Sequence, residues 1–195
     1  VLASTLHGQP QVASATVGWV DAIAVTPAAQ QQGIGAALLA WAEAWLTAQG
    51  SQTLILGASQ HPFAPGVPTA LDTAPFFQRR GYGQARQSWD VAADLTTYQP
   101  PATVRPIQGE VRPAQSGDEA ALRAFLQREF PGRWHFEFEE FLRTLGARLS
   151  DYMLLWSERG VDGFCQLTFE DSLRPIERFY PYQLPRRRGQ LGPIG

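Results

Sequence analysis

The sequence predicts a mixed α/β fold, a central sheet flanked by helices, and three observations carry that prediction. First, a strand-like run, Gly18-Trp-Val-Asp-Ala-Ile-Ala-Val25, is closed by Thr26-Pro27 and followed after a short turn by a helix-like run, Ile34 to Gln49. Second, the turn reads Gln30-Gln-Gln-Gly-Ile-Gly35, glycine-rich just where the helix begins. Third, strand-like and helix-like segments alternate on both sides of a proline-rich stretch near residue 100, so two units are expected, one on either side of it.

The elements follow in order. Val1-Leu-Ala-Ser-Thr-Leu6 reads as a strand, and the Gly18–Val25 run as its partner. In the following helix, Ile34, Leu38, Trp41, Ala42, Trp45 and Leu46 share one face at helical spacing and are expected to form its buried side. Thr53-Leu-Ile-Leu-Gly57 reads as the next strand. His61-Pro-Phe-Ala-Pro-Gly-Val-Pro68 is too rich in proline for regular structure, and a second helix is expected to end in Ala74-Pro-Phe-Phe-Gln-Arg-Arg-Gly-Tyr82. Trp89, Val91, Ala93 and Leu95 alternate with Asp90, Ala92 and Asp94, the pattern of a final strand. Residues 99–110 form a proline-rich linker. Beyond it, Val111-Arg-Pro-Ala-Gln115 opens a second unit. Ser116 and Glu119 have the spacing of a capping box before a helix that carries Leu122, Phe125 and Leu126. Pro131-Gly132 ends that helix, and a further one carries Phe138, Phe141, Leu142 and Leu145. Tyr152–Trp156 and Val161–Phe169 read as a hairpin turned at Glu-Arg-Gly160.

Composition narrows the function. The chain has 195 residues, 44% of them hydrophobic, and a formal net charge of −2. That balance fits a packed globular protein and lacks the basic footprint of a nucleic-acid binder. Every basic residue is an arginine. Cys165 is the single cysteine, which fits a reducing, cytoplasmic setting, and no membrane span or signal-peptide pattern is present. No spacing of His, Cys, Asp or Glu points to a metal site. The chain begins at Val1 in what reads as mid-strand, which points to a piece of a longer protein.

The glycine turn is the most informative segment. The first turn of a helix has backbone N–H groups without intrahelical partners, and the helix dipole favours negative charge there. No Gly-Lys-Ser/Thr follows, so this is not a Walker A loop, and Leu38 stands where a dinucleotide fingerprint needs its third glycine. The pattern resembles the signature of the GNAT superfamily of acetyl-CoA-dependent N-acyltransferases: Arg or Gln, two residues, Gly, one residue, then Gly or Ala, after a strand ending in a Val-x-Pro-like turn. Gln30, Gly33 and Gly35 fill that signature and Val25-Thr-Pro27 supplies the turn. Ala74–Tyr82 is similar to the family's Phe-Tyr-Glu-Lys-x-Gly-Phe segment. "VRPAQSGDEAALRAF" at 111–125 resembles the opening strand and helix of such a domain, and Leu191-Gly-Pro-Ile-Gly195 the beginning of its cofactor strand.

The resemblance therefore implies a tandem protein read out of register. Residues 1–98 would be the C-terminal part of a GNAT domain with the acyl-CoA motif, and 111–195 the N-terminal part of a second. Either each half stands alone, or the halves complete one another in a single permuted sheet. Separate halves are preferred, because Val1–Leu6 covers the edge of the cofactor strand locally.

By the same resemblance the cosubstrate is acetyl-CoA or another acyl-CoA. Its pyrophosphate would lie on the amides of Gln31, Gln32, Gly33, Ile34, Gly35 and Ala36, after Gln30. Its pantetheine arm would pair with Ile23, Ala24 and Val25. With three glutamines where relatives often place arginine, the expected salt dependence of binding is modest. Asp21 is the candidate general base; its competing reading is a half-exposed strand residue. The family's usual tyrosine acid is replaced by Phe77, and Tyr82 is read as core. His61, a loop residue after the third strand, is read first as a surface histidine. Trp41 and Trp45 are read as core rather than as an adenine platform, and Arg186–Arg188 as a solvated basic loop. Cys165 is expected to point inward with Val161 and Phe169, as a packing residue.

The implied activity is transfer of an acyl group to an amine acceptor, a small molecule or a peptide, without nucleic-acid or membrane partners and with pairing between halves or a dimer as a further expectation. The rival readings are a non-catalytic acyl-CoA-binding or interaction module, and a binder of another nucleotide at the same helix end.

Overall fold

A computed structural model describes residues 1–59, 66–83, 87, 89, 91–172 and 187–195. His61, Asp90 and Arg186 lie outside these residues, as does most of the proline-rich stretch after residue 59.

In the first half, β1 (Leu2–Thr5) pairs antiparallel with β2 (Val17–Ala22), and β2 pairs in parallel with β3 (Thr53–Leu56). The crossover between the two parallel strands is α1 (Ile34–Ala48), as a parallel pair requires. A short α2 (Ala74–Gln78) follows. Alternation along β2 turns Val20 toward α1, where it packs with Leu39, Ala42, Leu46 and Phe77.

The helix phase departs from the sequence expectation. Leu39 is fully buried, whereas Trp41 is 59% exposed. Trp45 packs at the edge of the core and Ile34 is exposed. The segment is apolar nearly all round, so spacing alone does not fix which stripe meets the sheet.

In the second half, β4 (Glu110–Pro113), β5 (Tyr152–Ser157), β6 (Gly160–Phe169) and β7 (Gly189–Ile194) form an antiparallel sheet in that order. Two helices, α3 (Glu119–Glu129) and α4 (Arg133–Arg143), contribute to its core. Leu122, Phe125 and Leu126 of α3 and Phe138 and Phe141 of α4 are buried, as their spacing predicts. Leu145 lies beyond the end of α4 and is exposed.

The cap before α3 is shifted by one residue. Gln115 and Asp118, not Ser116 and Glu119, form the reciprocal capping box, and the Gln115 N–H donates to Asp118 Oδ2 at 2.8 Å. In the hairpin, Leu155 pairs with Gly163 but Trp156 pairs with Val161, so Asp162 is an extra residue on β6. The inward phase therefore passes from Val161 to Phe164, and Cys165 is half-buried outside the hydrophobic core.

Residues 91–95 do not form the predicted strand. Val91 and Leu95 are exposed, and the described residues up to Gly109 run without helix or strand. Alternation alone does not create a strand without an edge to pair with. The two sheets share no strand: β2 and β6 belong to different sheets, so a single permuted sheet does not form among the described residues.

Candidate functional site

The site is built where β2 and β3 part. The last bond between them runs from the Gly57 N–H to the Val20 carbonyl, at 2.9 Å. Beyond it Gly57 and Ala58 both adopt positive φ, +67° and +57°, which turns the chain away from β2. On the other side Leu2, the first residue of β1, pairs with Ala22. Ile23, Ala24 and Val25 thus continue past the ladder, and among the described residues their N–H and C=O groups pair with no neighbouring strand. A backbone edge of this kind can take an extended ligand by strand addition.

The chain then makes a short 3₁₀ turn, Pro27–Ala29, and enters α1 through Gly33. The side chains of the turn hold it in place. Gln30 Nε2 donates to the Val25 carbonyl at 3.1 Å and Gln32 Nε2 to the Ala28 carbonyl at 3.2 Å. Two of the three glutamines are thus occupied locally. Gln31 sits at φ +61°, and Gly33, the N-cap, at +80°. The two glycines have different roles. Gly33 supplies a left-handed backbone that a side chain resists. A Cβ built on Gly35 would lie 3.6 Å from the Phe76 ring and 3.8 Å from Val25 Cγ2, ordinary contact distances, so alanine fits there.

The first intrahelical bond is Ala37 N–H to the Gly33 carbonyl. No side chain caps the helix, and among the described residues the N–H groups of Gln31, Gln32, Gly33, Ile34, Gly35 and Ala36 have no partner. Gln31 to Ile34 are exposed. A run of unbonded amides at the positive end of a fifteen-residue helix suits an anion.

Asp21 sits at a second special point. Ala3 pairs with Val20 and Leu2 with Ala22, so Asp21 is an extra residue opposite β1, a β-bulge. The residue is only 6% exposed, and neither carboxylate oxygen has a hydrogen-bond partner. Sequence reasoning weighed it against a half-exposed strand position; the structure buries it. Ser4 Oγ, one strand away opposite Trp19, is also buried without a partner.

Other expectations resolve around this centre. Phe77 is in the core, edge-on to Phe76 and to Tyr82. Tyr82 is half-buried and donates its hydroxyl to Glu43 Oε1 at 3.0 Å. Burial first, and then the hydrogen bond to Glu43 and its charge, drive the Tyr82 phenol far above its ordinary range, so it does not ionise near neutrality. Burial also raises the Cys165 thiol, which disfavours the thiolate a nucleophile would need. Among the described residues no group of three or more His, Cys, Asp or Glu could hold a metal ion, and no helix is long and apolar enough to cross a membrane. What sequence reasoning missed is Arg80. Its guanidinium lies 3.9 Å from the centre of the Phe76 ring, and that ring lies 3.6 Å from where a Cβ on Gly35 would stand. The doublet Arg79-Arg80 in the similar segment was the available signal.

Residues 3–84 match the acetyltransferase (GNAT) domain family. No curated protein matches the chain in sequence. Among solved structures, the chain is similar in fold to a fungal protein described as having a GCN5-related glucosamine N-acetyltransferase region in a multi-domain GH3 β-N-acetylglucosaminidase. The TM-score is 0.73 at 21% identity, and the match covers 99% of this chain and 24% of that one. The chain thus spans about a quarter of that neighbour's length. An open strand edge running into an uncapped glycine turn is the part of the molecule that lies inside the matched region; residues 3–84 match the acetyltransferase (GNAT) domain model, and the chain shares its fold with a region described as a GCN5-related N-acetyltransferase.

Proposed function

We propose that the chain carries the acyl-CoA site of an N-acyltransferase that moves an acetyl or other acyl group to an amine. The observation that supports this most is the continuity of two backbone surfaces that no neighbouring strand or turn pairs among the described residues, the Val25 carbonyl alone being held by Gln30. The free edge at Ile23–Val25 leads directly into the unbonded amides of Gln31–Ala36. An extended amide-bearing arm ending in a pyrophosphate has the chemistry to satisfy both.

In the proposed reaction the acceptor arrives as an ammonium and must lose a proton before it attacks. Asp21 is our candidate for that base: it is buried, on the strand that leads to the free edge, and without a competing donor. The amine nitrogen bonds to the thioester carbonyl carbon, the carbon–sulfur bond breaks, the nitrogen releases its second proton to water to become the amide, and the thiolate leaves. With Phe77 in the tyrosine position and buried, no protein acid is assigned to the leaving thiolate, which takes its proton from water. The fold neighbour is described by its glucosamine acceptor, so an amino sugar is the first acceptor to test, followed by small amines and peptides. We further propose that residues 1–98 are the C-terminal part of one GNAT domain and 111–195 the N-terminal part of another, joined by the linker 99–110.

The test is thioester consumption with acetyl-CoA and this acceptor panel. Gly35→Glu puts a long anionic side chain into the glycine turn, on the side of Phe76 and Val25, and is expected to abolish binding and turnover. Asp21→Asn should retain binding and lower turnover by about a hundredfold or more. Turnover that survives Gly35→Glu unchanged would overturn the assignment of the site. The second reading, a binding module without turnover, is favoured by the buried Phe77. It predicts CoA binding lost in Gly35→Glu with no thioester consumed by either protein. Displacement of CoA by ATP or NAD at equal concentration would instead favour a site for another nucleotide.

A further inference from the structure

The cations of this molecule are distributed unevenly. Seven arginines lie between residues 110 and 172: Arg112, Arg123, Arg128, Arg133, Arg143, Arg148 and Arg159. Each is paired with a carboxylate. Residues 1–83 contain only two basic side chains of the Lys/Arg type, Arg79 and Arg80, and neither pairs with a carboxylate among the described residues. Both sit at the end of α2, the element whose Phe76 ring faces the side of Gly35 on which a Cβ would stand, 3.6 Å from that position.

Arg80 is held there. Its Nη1 donates to the Phe76 carbonyl at 2.8 Å, and its guanidinium carbon lies 3.9 Å from the centre of the Phe76 ring. A guanidinium has five N–H donors in a planar fork, and this arrangement uses one of them. The remaining donors have no partner among the described residues. An arginine stacked on an aromatic ring, anchored at one nitrogen and lacking a counter-charge is pre-organised for an anion.

Resting on the acyl-CoA reading above, we propose that Arg80, presented on Phe76 beside the glycine turn, recognises a phosphate of the nucleotide end of CoA and sets the preference for CoA over its phosphate-free analogues. The α1 amides take charge without a counter-ion of their own; Arg80 supplies one from the adjacent element. The turn sequence alone, with three glutamines and no cation, implies a modest salt dependence of binding. The fold adds a cation from more than forty residues downstream, so binding is expected to weaken clearly with salt.

The experiment uses the full chain and measures equilibrium binding of CoA, 3′-dephospho-CoA and pantetheine at low and high salt, for the wild type, Arg80→Gln and Arg80→Lys. Arg80→Gln is expected to weaken CoA by about tenfold, flatten its salt dependence and leave pantetheine unchanged. Arg80→Lys should recover part of the loss, because it keeps the charge but loses the fork and the stack. An equal loss for CoA and dephospho-CoA assigns Arg80 to the pyrophosphate; a loss confined to CoA assigns it to the 3′-phosphate. If the wild type binds CoA and Arg80→Gln binds it equally well with the same salt dependence, the Arg80 proposal is wrong while the site stands. If pantetheine weakens as much as CoA, Arg80 is a structural support and the proposal is overturned. If the wild type binds no CoA at all, the acyl-CoA reading fails and takes this proposal with it.

Discussion

Ala58 holds φ at +57° immediately after Gly57 at +67°, a non-glycine residue in a region that costs an L-amino acid about 1 kcal/mol or more. The strain lies at the point where β3 turns away from β2, and that turn is what leaves the Ile23–Val25 edge open. Ala58→Gly is therefore expected to stabilise the chain by up to about 1 kcal/mol in urea unfolding, less the extra freedom glycine gains in the unfolded chain. An unchanged or lowered midpoint would mean that the alanine methyl group makes contacts worth more than the backbone strain. Asp21 invites a second comparison of the same kind. A buried carboxylate without a hydrogen-bond partner is unfavourable, and such groups persist where function requires them. Asp21→Asn should raise the melting temperature while lowering transfer. A fall in both would instead mark Asp21 as a structural residue.

At the level of elements, the capping box before α3 gives a pH-dependent prediction. Asp118 accepts from both Arg112 guanidinium nitrogens, at 2.5 and 3.1 Å, and from the Gln115 N–H. The Arg112 hydrogen bond, helped by the Gln115 amide, holds the carboxyl below its ordinary value against the opposing effect of burial. A depressed folded-state value means that the contribution is complete above the unfolded value of about 4 and disappears as pH falls through the folded one. Asp118→Asn should thus cost about 1–2 kcal/mol at neutral pH, and the gap between the two proteins should begin to narrow as pH falls below about 4. A gap that stays undiminished as pH falls from neutrality into the acid transition would refute the electrostatic account of the cap. The same elements show what the sequence could reveal. Leu122, Phe125 and Leu126, or Phe138 and Phe141, are apolar stripes on otherwise charged helices, so their buried faces were readable. The α1 segment has apolar residues on every side, and only the position of β2 and β3 selects Leu39 over Trp41. The glycine turn was legible because its backbone needs are local. The bulge at Asp162 was not, because register depends on the partner strand, and it is what moves Cys165 out of the core. Arg80 escaped notice for a similar reason: its significance comes from a helix contact across the fold.

For the molecule as a whole, the buried apolar side chains of the described residues, Trp19 apart, fall into two clusters. One holds Val20, Leu39, Ala42, Leu46 and Phe77; the other holds ten buried residues around Phe138, Tyr152 and Phe164. The proline-rich stretch near residue 100 is where the sequence predicts a linker, and residues 91–109 are exposed without helix or strand. The alternating Trp89–Leu95 pattern misled because a strand pattern states only what a segment can pair as, not whether a partner edge is within reach. Two cores of unequal size should not unfold as one unit, since the smaller buries less apolar surface per residue ordered. Calorimetry of the full chain is expected to resolve two transitions, with the first half melting at the lower temperature. Because the proposed acyl-CoA site lies wholly on that half, CoA at about a hundred times its dissociation constant should stabilise the lower transition by about 2.7 kcal/mol and leave the upper one in place. A single transition displaced as a whole by CoA would show one cooperative unit and remove the case for a division at residues 99–110. A shift confined to the upper transition would put the ligand on the second half and refute the proposed site.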